Sequence, residues 1–124
     1  MQEKILYEYA VIRIIPRVER EEFVNVGLIM MSKRKKWIKV RICPDQTRIA
    51  AIAGNTDTTL PLMQLEVFSN VCDGIGKFKD MPVEERFRWL TAVKSTCVQT
   101  SRPHPGITFD LDYTFDRLLC ELVK

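Results

Sequence analysis

The sequence predicts an α+β fold: one domain over residues 1–124, a mainly antiparallel sheet of about four strands with helices packed on it, in the order β-β-β-α-α-α-β-α. Three observations carry this. Apolar and alternating runs crowd the region before Asp45 and are joined by short polar connections. Beyond Asp45, apolar residues recur at helical spacing between capping and proline signals. A chain of 124 residues that is 46% hydrophobic and 28% charged, with only 5 Gly and 6 Pro, has the balance of one globular domain. That balance excludes collagen, a Pro-rich linker and a disordered acidic tail.

From Ile5 to Ile15 both alternating sets are apolar, Tyr7, Tyr9 and Val11 on one face and Ala10, Ile12 and Ile14 on the other. This is the pattern of a central strand covered on both sides. Pro16 stops it, Arg17 to Glu22 connects, and Phe23 to Ser32 reads as a second strand. Lys33 to Lys36 is too polar for a core and predicts a hairpin turn into Trp37–Cys43. There, alternation sets Trp37, Lys39 and Arg41 against Ile38, Val40 and Ile42.

Asp45 to Ala53 predicts a helix stopped at Gly54-Asn55. A second starts near Thr59-Leu60-Pro61 and carries Leu65, Phe68 and Cys72 on one stripe. Pro82-Val83-Glu84-Glu85 opens a third, with acids where the helix dipole favours them, running to about Leu90. Lys94 to Ser101 reads as the fourth strand, ended by Arg102-Pro103-His104-Pro105-Gly106, which is not expected to continue a ladder. Asp110 caps a last helix with Leu111, Phe115, Leu118, Leu119 and Leu122 in one stripe.

The 19 basic and 16 acidic residues leave a net +3, too mild to announce a nucleic-acid or membrane partner. The excess is uneven: residues 1–62 hold 11 basic against 7 acidic residues, and residues 63–124 hold 8 against 9. Cys43, Cys72, Cys97 and Cys120 show no C-x-x-C spacing and have a single histidine for company, which argues against zinc. They are expected to be reduced thiols of a soluble cytoplasmic protein, with Cys72 and Cys120 at apolar helical positions and mostly buried. The longest apolar runs, such as Val26 to Met31, fall short of the ~18–20 residues that span a bilayer, and no cofactor motif is present.

The densest polar cluster in uncharged surroundings is Ser95, Thr96, Gln99, Ser101, Arg102, His104 and Thr108. On a strand Ser95, Cys97, Gln99 and Ser101 share a face, and the following turn is expected to fold His104 and Gly106 back over its end. Hydroxyls, an amide and turn N–H groups so placed suit a small anion or polar ligand; the plainer alternative is a solvated edge strand. No nucleophile elbow accompanies His104, and no carboxylate pair is placed across a cleft, so no catalytic residue is assigned.

Lys33, Arg34, Lys36, Trp37, Lys39 and Arg41 interleave charge with an aromatic platform, as nucleic-acid surfaces do. The alternative for these residues is a soluble hairpin tip. Arg13 in an apolar strand calls for an acidic partner, with Glu19 or Glu22 the candidates. Asn25 and Gly27 interrupt the second strand, and the glycine marks a bulge or a close backbone approach.

Tyr9-Ala10-Val11-Ile12-Arg13, Glu22-Phe23-Val24-Asn25-Val26-Gly27 and Arg86-Phe87-Arg88-Trp89-Leu90-Thr91, followed by Ser95-Thr96, Gln99, Ser101, His104 and Gly106, resemble a bacterial domain-of-unknown-function family, number 3037. The resemblance runs from about Leu6 to Leu122 and departs at Lys94, where arginine is expected, and at Arg102-Pro103, where Pro-Val is more usual. It implies no particular activity. It does imply a neighbourhood, since family members are often encoded beside HipA-like kinases, and hence a partner or accessory role. Three functions are therefore expected to compete: a non-enzymatic module recognising a partner protein, such as a HipA-like kinase, or a small polar ligand; a nucleic-acid-associated protein using the basic hairpin; and an enzyme on a phosphorylated or nucleotide substrate.

Overall fold

In the computed structural model, which describes residues 3–92 and 97–124, the sheet is built around β1 (Ile5–Ile14). β1 pairs antiparallel with β2 (Val24–Ser32), and β2 in turn with β3 (Trp37–Ile42) through the turn Lys33 to Lys36. The opposite edge of β1 is shared by two short strands, β4 (Val98–Thr100) against its C-terminal end and β5 (His104–Thr108) against its N-terminal half. The sheet thus has five strands, all in antiparallel pairs, and β1 lies at its centre as its doubly apolar pattern requires.

β5 corrects the expectation that His104-Pro105-Gly106 ends the ladder. Proline is excluded from strand interiors because it lacks a donor, but on an edge strand its missing N–H can point to solvent. The passage from β4 to β5 is itself irregular. Ala10 and Val11 of β1 stand opposite three residues, Ser101, Arg102 and Pro103, so one extra residue is accommodated. Ser101 repairs the ladder there: its own N–H donates to the Val11 carbonyl at 2.8 Å, and its hydroxyl oxygen accepts the Val11 N–H at 2.9 Å.

Helices cover both faces. On one lie α1 (Gln46–Ala53), α2 (Thr59–Gln64), α3 (Glu66–Cys72) and α4 (Val83–Thr91), closing a core of Ala10, Ile12, Ile14, Ile29, Ile49, Phe68 and Phe87. The single helix expected from Thr59 to Cys72 is broken at Leu65. On the other face α5 (Leu111–Leu122) lies over Val11, Leu28 and Met30, presenting Leu111, Phe115, Leu118 and Leu119. The predicted cap Asp110 forms, accepting the N–H of Tyr113 at 3.0 Å, and Asp45, expected as the first residue of its helix, is the cap of α1 and accepts the N–H groups of Thr47 and Arg48.

Cys43, Cys72, Cys97 and Cys120 form no disulfide among the described residues. Cys72 is buried as expected, but Cys120 is exposed, because it sits one residue past Leu119 and so turns away from the apolar stripe of α5. Burial pushes the Cys72 thiol up to about 12. Cys120 is therefore expected to react with a thiol reagent near neutral pH while Cys72 reacts only on unfolding, as mass spectrometry of modified peptides will show. The sign of the linkage follows. The unfolded thiol ionises near ~8.5, so above that pH the unfolded chain sheds a proton that the folded chain keeps, and stability falls as pH rises toward 12.

Candidate functional site

Arg13, Asn25 and Gln99 stand in one cross-sheet row: Arg13 is opposite Asn25 on β2 and opposite Gln99 on β4. They reach that alignment through a bulge, since Ile12 pairs with Gly27 and Arg13 with Asn25, which leaves Val26 as the extra residue. Gly27 is needed for close approach, because a Cβ there would stand 2.7 Å from the Arg41 carbonyl oxygen on β3. The Asn25 amide donates to the Leu122 carbonyl at 2.9 Å, and Arg48 donates to the Val123 carbonyl at 2.7 Å. Together they hold the C-terminal end of α5, whose last carbonyls have no partner within the helix.

Arg13 does not have the acidic partner expected of it. Glu19 pairs with Arg17 and Glu22 with Arg20, each two residues away, and those nearer guanidiniums hold both carboxyls below their ordinary range. For Glu19 a backbone hydrogen bond is the larger cause. Arg13 instead stacks on Phe23, 4.2 Å from the ring centroid. Its Nε and the Asn25 Oδ1 are buried without a hydrogen-bond partner.

Two residues further along each strand on the same face, Ser101 lies beside Val11, and then His104 opposite Tyr9. The His104 and Tyr9 rings are 5.2 Å apart, and Tyr7 lays its ring across Gly106. His104 and Gly106 are thus strand residues running on along β1, not a turn folded back over the end of β4. The reason is the extra residue at Ser101–Pro103, which restores the ladder. His104 is exposed. Ser95 lies outside the described residues, as do Lys94 and Thr96. Ser101→Ala is expected to cost about 1–3 kcal/mol, since it leaves the buried Val11 N–H without an acceptor. Urea unfolding measures the loss, and faster exchange of the Val11 amide assigns it.

The basic hairpin is divided by its contacts. Trp37 packs edge-on against Phe115, and Lys39 lies over the same ring at 4.9 Å while pairing with Asp112 at 3.1 Å. Arg34 and Lys35 share Glu3, whose carboxyl the Lys35 hydrogen bond holds below its usual range. Lys33 and Lys36 form no ion pair among the described residues, and Arg41 is exposed.

A feature the sequence reading did not single out lies on the opposite face. Leu6 and Ile107 are cross-strand neighbours, 65% and 60% exposed. The row beside them is Glu8 and Pro105, where Arg88 of α4 grips Glu8 through both nitrogens at 3.0 and 2.9 Å. Between this strip and the β2–β3 turn runs a hollow of about 610 Å³ walled by Leu6, Glu8, Met31, Lys33, Arg34 and Pro105. Leu6 belongs to the same alternating set as Ala10, Ile12 and Ile14, so in the sequence it looks like core.

Among the described residues no three His, Cys, Asp or Glu side chains gather in a metal-holding group, and no helix is long and apolar enough to cross a membrane. Fold and surface define an α+β domain whose five-stranded sheet carries helices on both faces and leaves Leu6 and Ile107 of β1 and β5 exposed. The chain belongs to the family described as protein of unknown function (DUF3037), which it matches over residues 9–123. No curated protein and no solved structure matches it.

Proposed function

We propose that this domain is a non-enzymatic binding module that recognises a partner protein on the open strip of β1 and β5. One observation carries the reading: Leu6 and Ile107 sit side by side, 65% and 60% exposed, at the edge of a hollow of about 610 Å³, on a face whose Ala10, Ile12 and Ile14 rows lie beneath helices. A single exposed leucine needs no explanation, but adjacent aliphatic residues beside a groove form the kind of patch that marks protein contacts. Pro105 and Ile107 lie in the same strand as His104 and Gly106 of the polar cluster, on its opposite face. The family resemblance supports a HipA-like kinase as the first partner to test.

The experiment is co-purification of the two proteins with the native chain and with a Leu6→Asp, Ile107→Asp double variant. Both side chains face solvent, so the variant is expected to keep its circular dichroism and melting midpoint. Loss of such a contact pair typically costs ~2 kcal/mol or more, so the kinase is expected to bind at least about tenfold more weakly. Undiminished binding by the folded double variant rejects the strip as the docking surface.

A further inference from the structure

We propose that the occupant of this strip is an acidic amphipathic helix of the partner, seated beside α4; this rests on the docking reading above and adds the partner's chemistry. Shape comes first. On this face α1 to α4 cover the rows of Ala10, Ile12 and Ile14, and Arg88 of α4 reaches Glu8 at the border of the open ground. The uncovered ground runs from β5 across β1 to the end of β2, three strands or about 10 Å between the outer two, close to the ~10–12 Å width of a helix. Addition of a strand to β5 is less well served, because Pro105 removes a donor from that edge.

Charge gives the sign. At the β5 side the ground is apolar, through Leu6, Pro105 and Ile107. At the β2 end it is walled by Lys33 and Arg34, and a second hollow of about 520 Å³ beyond Lys33 sets Lys36, Lys79 and Arg86 against the acids Asp80 and Glu84, so that the basic groups still prevail. The acid within the first hollow, Glu8, is paired with Arg88 and the base Arg34 with Glu3, whereas Lys33 and Lys36 form no ion pair among the described residues and supply the excess charge. The complement is a helix with an apolar face and a flank of carboxylates. A second copy of this chain is a poor match. Its acidic helix, α5, has its apolar stripe committed to the sheet, and Asp112 and Glu121 there are paired with Lys39 and Arg117.

The probe is a fluorescein-labelled amphipathic peptide of about 15 residues, roughly 22 Å as a helix, with leucines on one face and glutamates on the other. Matched peptides carry glutamine or lysine in place of glutamate. By fluorescence anisotropy the full chain is expected to bind the glutamate peptide at least about tenfold more tightly than the glutamine one and to reject the lysine one. Affinity falls with added salt. Lys33→Glu with Arg34→Glu is expected to reverse the preference, and Leu6→Asp with Ile107→Asp to abolish binding. Equal binding of the glutamate and glutamine peptides, or no binding of the glutamate peptide at ~1 mM, overturns the acidic helix. Kinase binding that depends on Leu6 and Ile107 but not on Lys33 and Arg34 overturns it while leaving the docking surface intact; dependence on neither pair removes both. Self-association of the chain alone, abolished by the Leu6 and Ile107 changes, overturns it in favour of a second copy.

Discussion

Replacing Phe115 by alanine is expected to lower stability by about 3–5 kcal/mol and the melting midpoint by roughly 10–20 °C. The ring is 0% exposed and lies at the centre of the smaller of the two cores. It meets Trp37 edge-on at 6.4 Å, carries Lys39 over its face, and packs among Val11, Leu28 and Met30 below and Leu119 alongside. α5 is the sole helix on that face among the described residues, so no neighbouring helix can shift to close the cavity. A second loss accompanies the first, because Lys39 keeps its pairing with Asp112 only while α5 stays down. Against a total of ~5–15 kcal/mol for a domain of this size, this is a large fraction. Chemical unfolding gives the magnitude. Native-state hydrogen exchange gives the location: amides of α5 are expected to lose protection well before those of α4, whose Phe87 lies in the other core. Equal loss in both helices would show the two cores to be one cooperative unit.

The two faces of the sheet were legible because β1 obeys a simple rule. Tyr7, Tyr9 and Val11 meet α5, while Ala10, Ile12 and Ile14 meet the other helices, as the alternation foretold. The hairpin turn at Lys33 to Lys36, the stop of α1 at Gly54, the cap Asp110 and the stripe of α5 were equally readable, since each is a local code of a few residues. β5 was not. Pro103, Pro105 and Gly106 are local signals for breaking a strand, and only the non-local facts of an edge position and one extra residue opposite Ala10 and Val11 make a strand permissible. The same limit applies to Arg13: Glu19 and Glu22 were close in sequence, but Arg17 and Arg20 were closer. Of the candidate site, Arg13, Asn25, Gln99, Ser101, His104 and Gly106 were named from separate segments, but their lying on one face of β1 and its partners needed the register. Leu6 and Ile107 carried no signal at all. An aliphatic residue in a strand reads as core whether or not a helix covers it.

Gly27→Ala is the other substitution expected to have a large effect, a loss of about 3 kcal/mol or more, from a single methyl group. Removing glycine from a strand ordinarily stabilises a protein by ~0.4–1 kcal/mol, because the unfolded chain has fewer states to lose. Here that gain is overridden. The new Cβ would lie 2.7 Å from the Arg41 carbonyl oxygen and 3.0 Å from the Ile42 Cδ1. Ile42 can change rotamer, but the carbonyl belongs to the backbone of β3 and yields only if β2 and β3 separate. Overpacking a well-filled core costs ~1–3 kcal/mol even where side chains give way, so a clash with backbone falls at or above the upper end. Gly106→Ala supplies the contrast. The group in its way is the far end of the Tyr7 ring, on a half-buried side chain that can swing aside, so a cost near ~1 kcal/mol is expected. Urea unfolding of the two variants under the same conditions decides the matter: if Gly27→Ala is no more destabilising than Gly106→Ala, the close approach of β2 and β3 at the bulge is not what holds Arg13 and Asn25 in register.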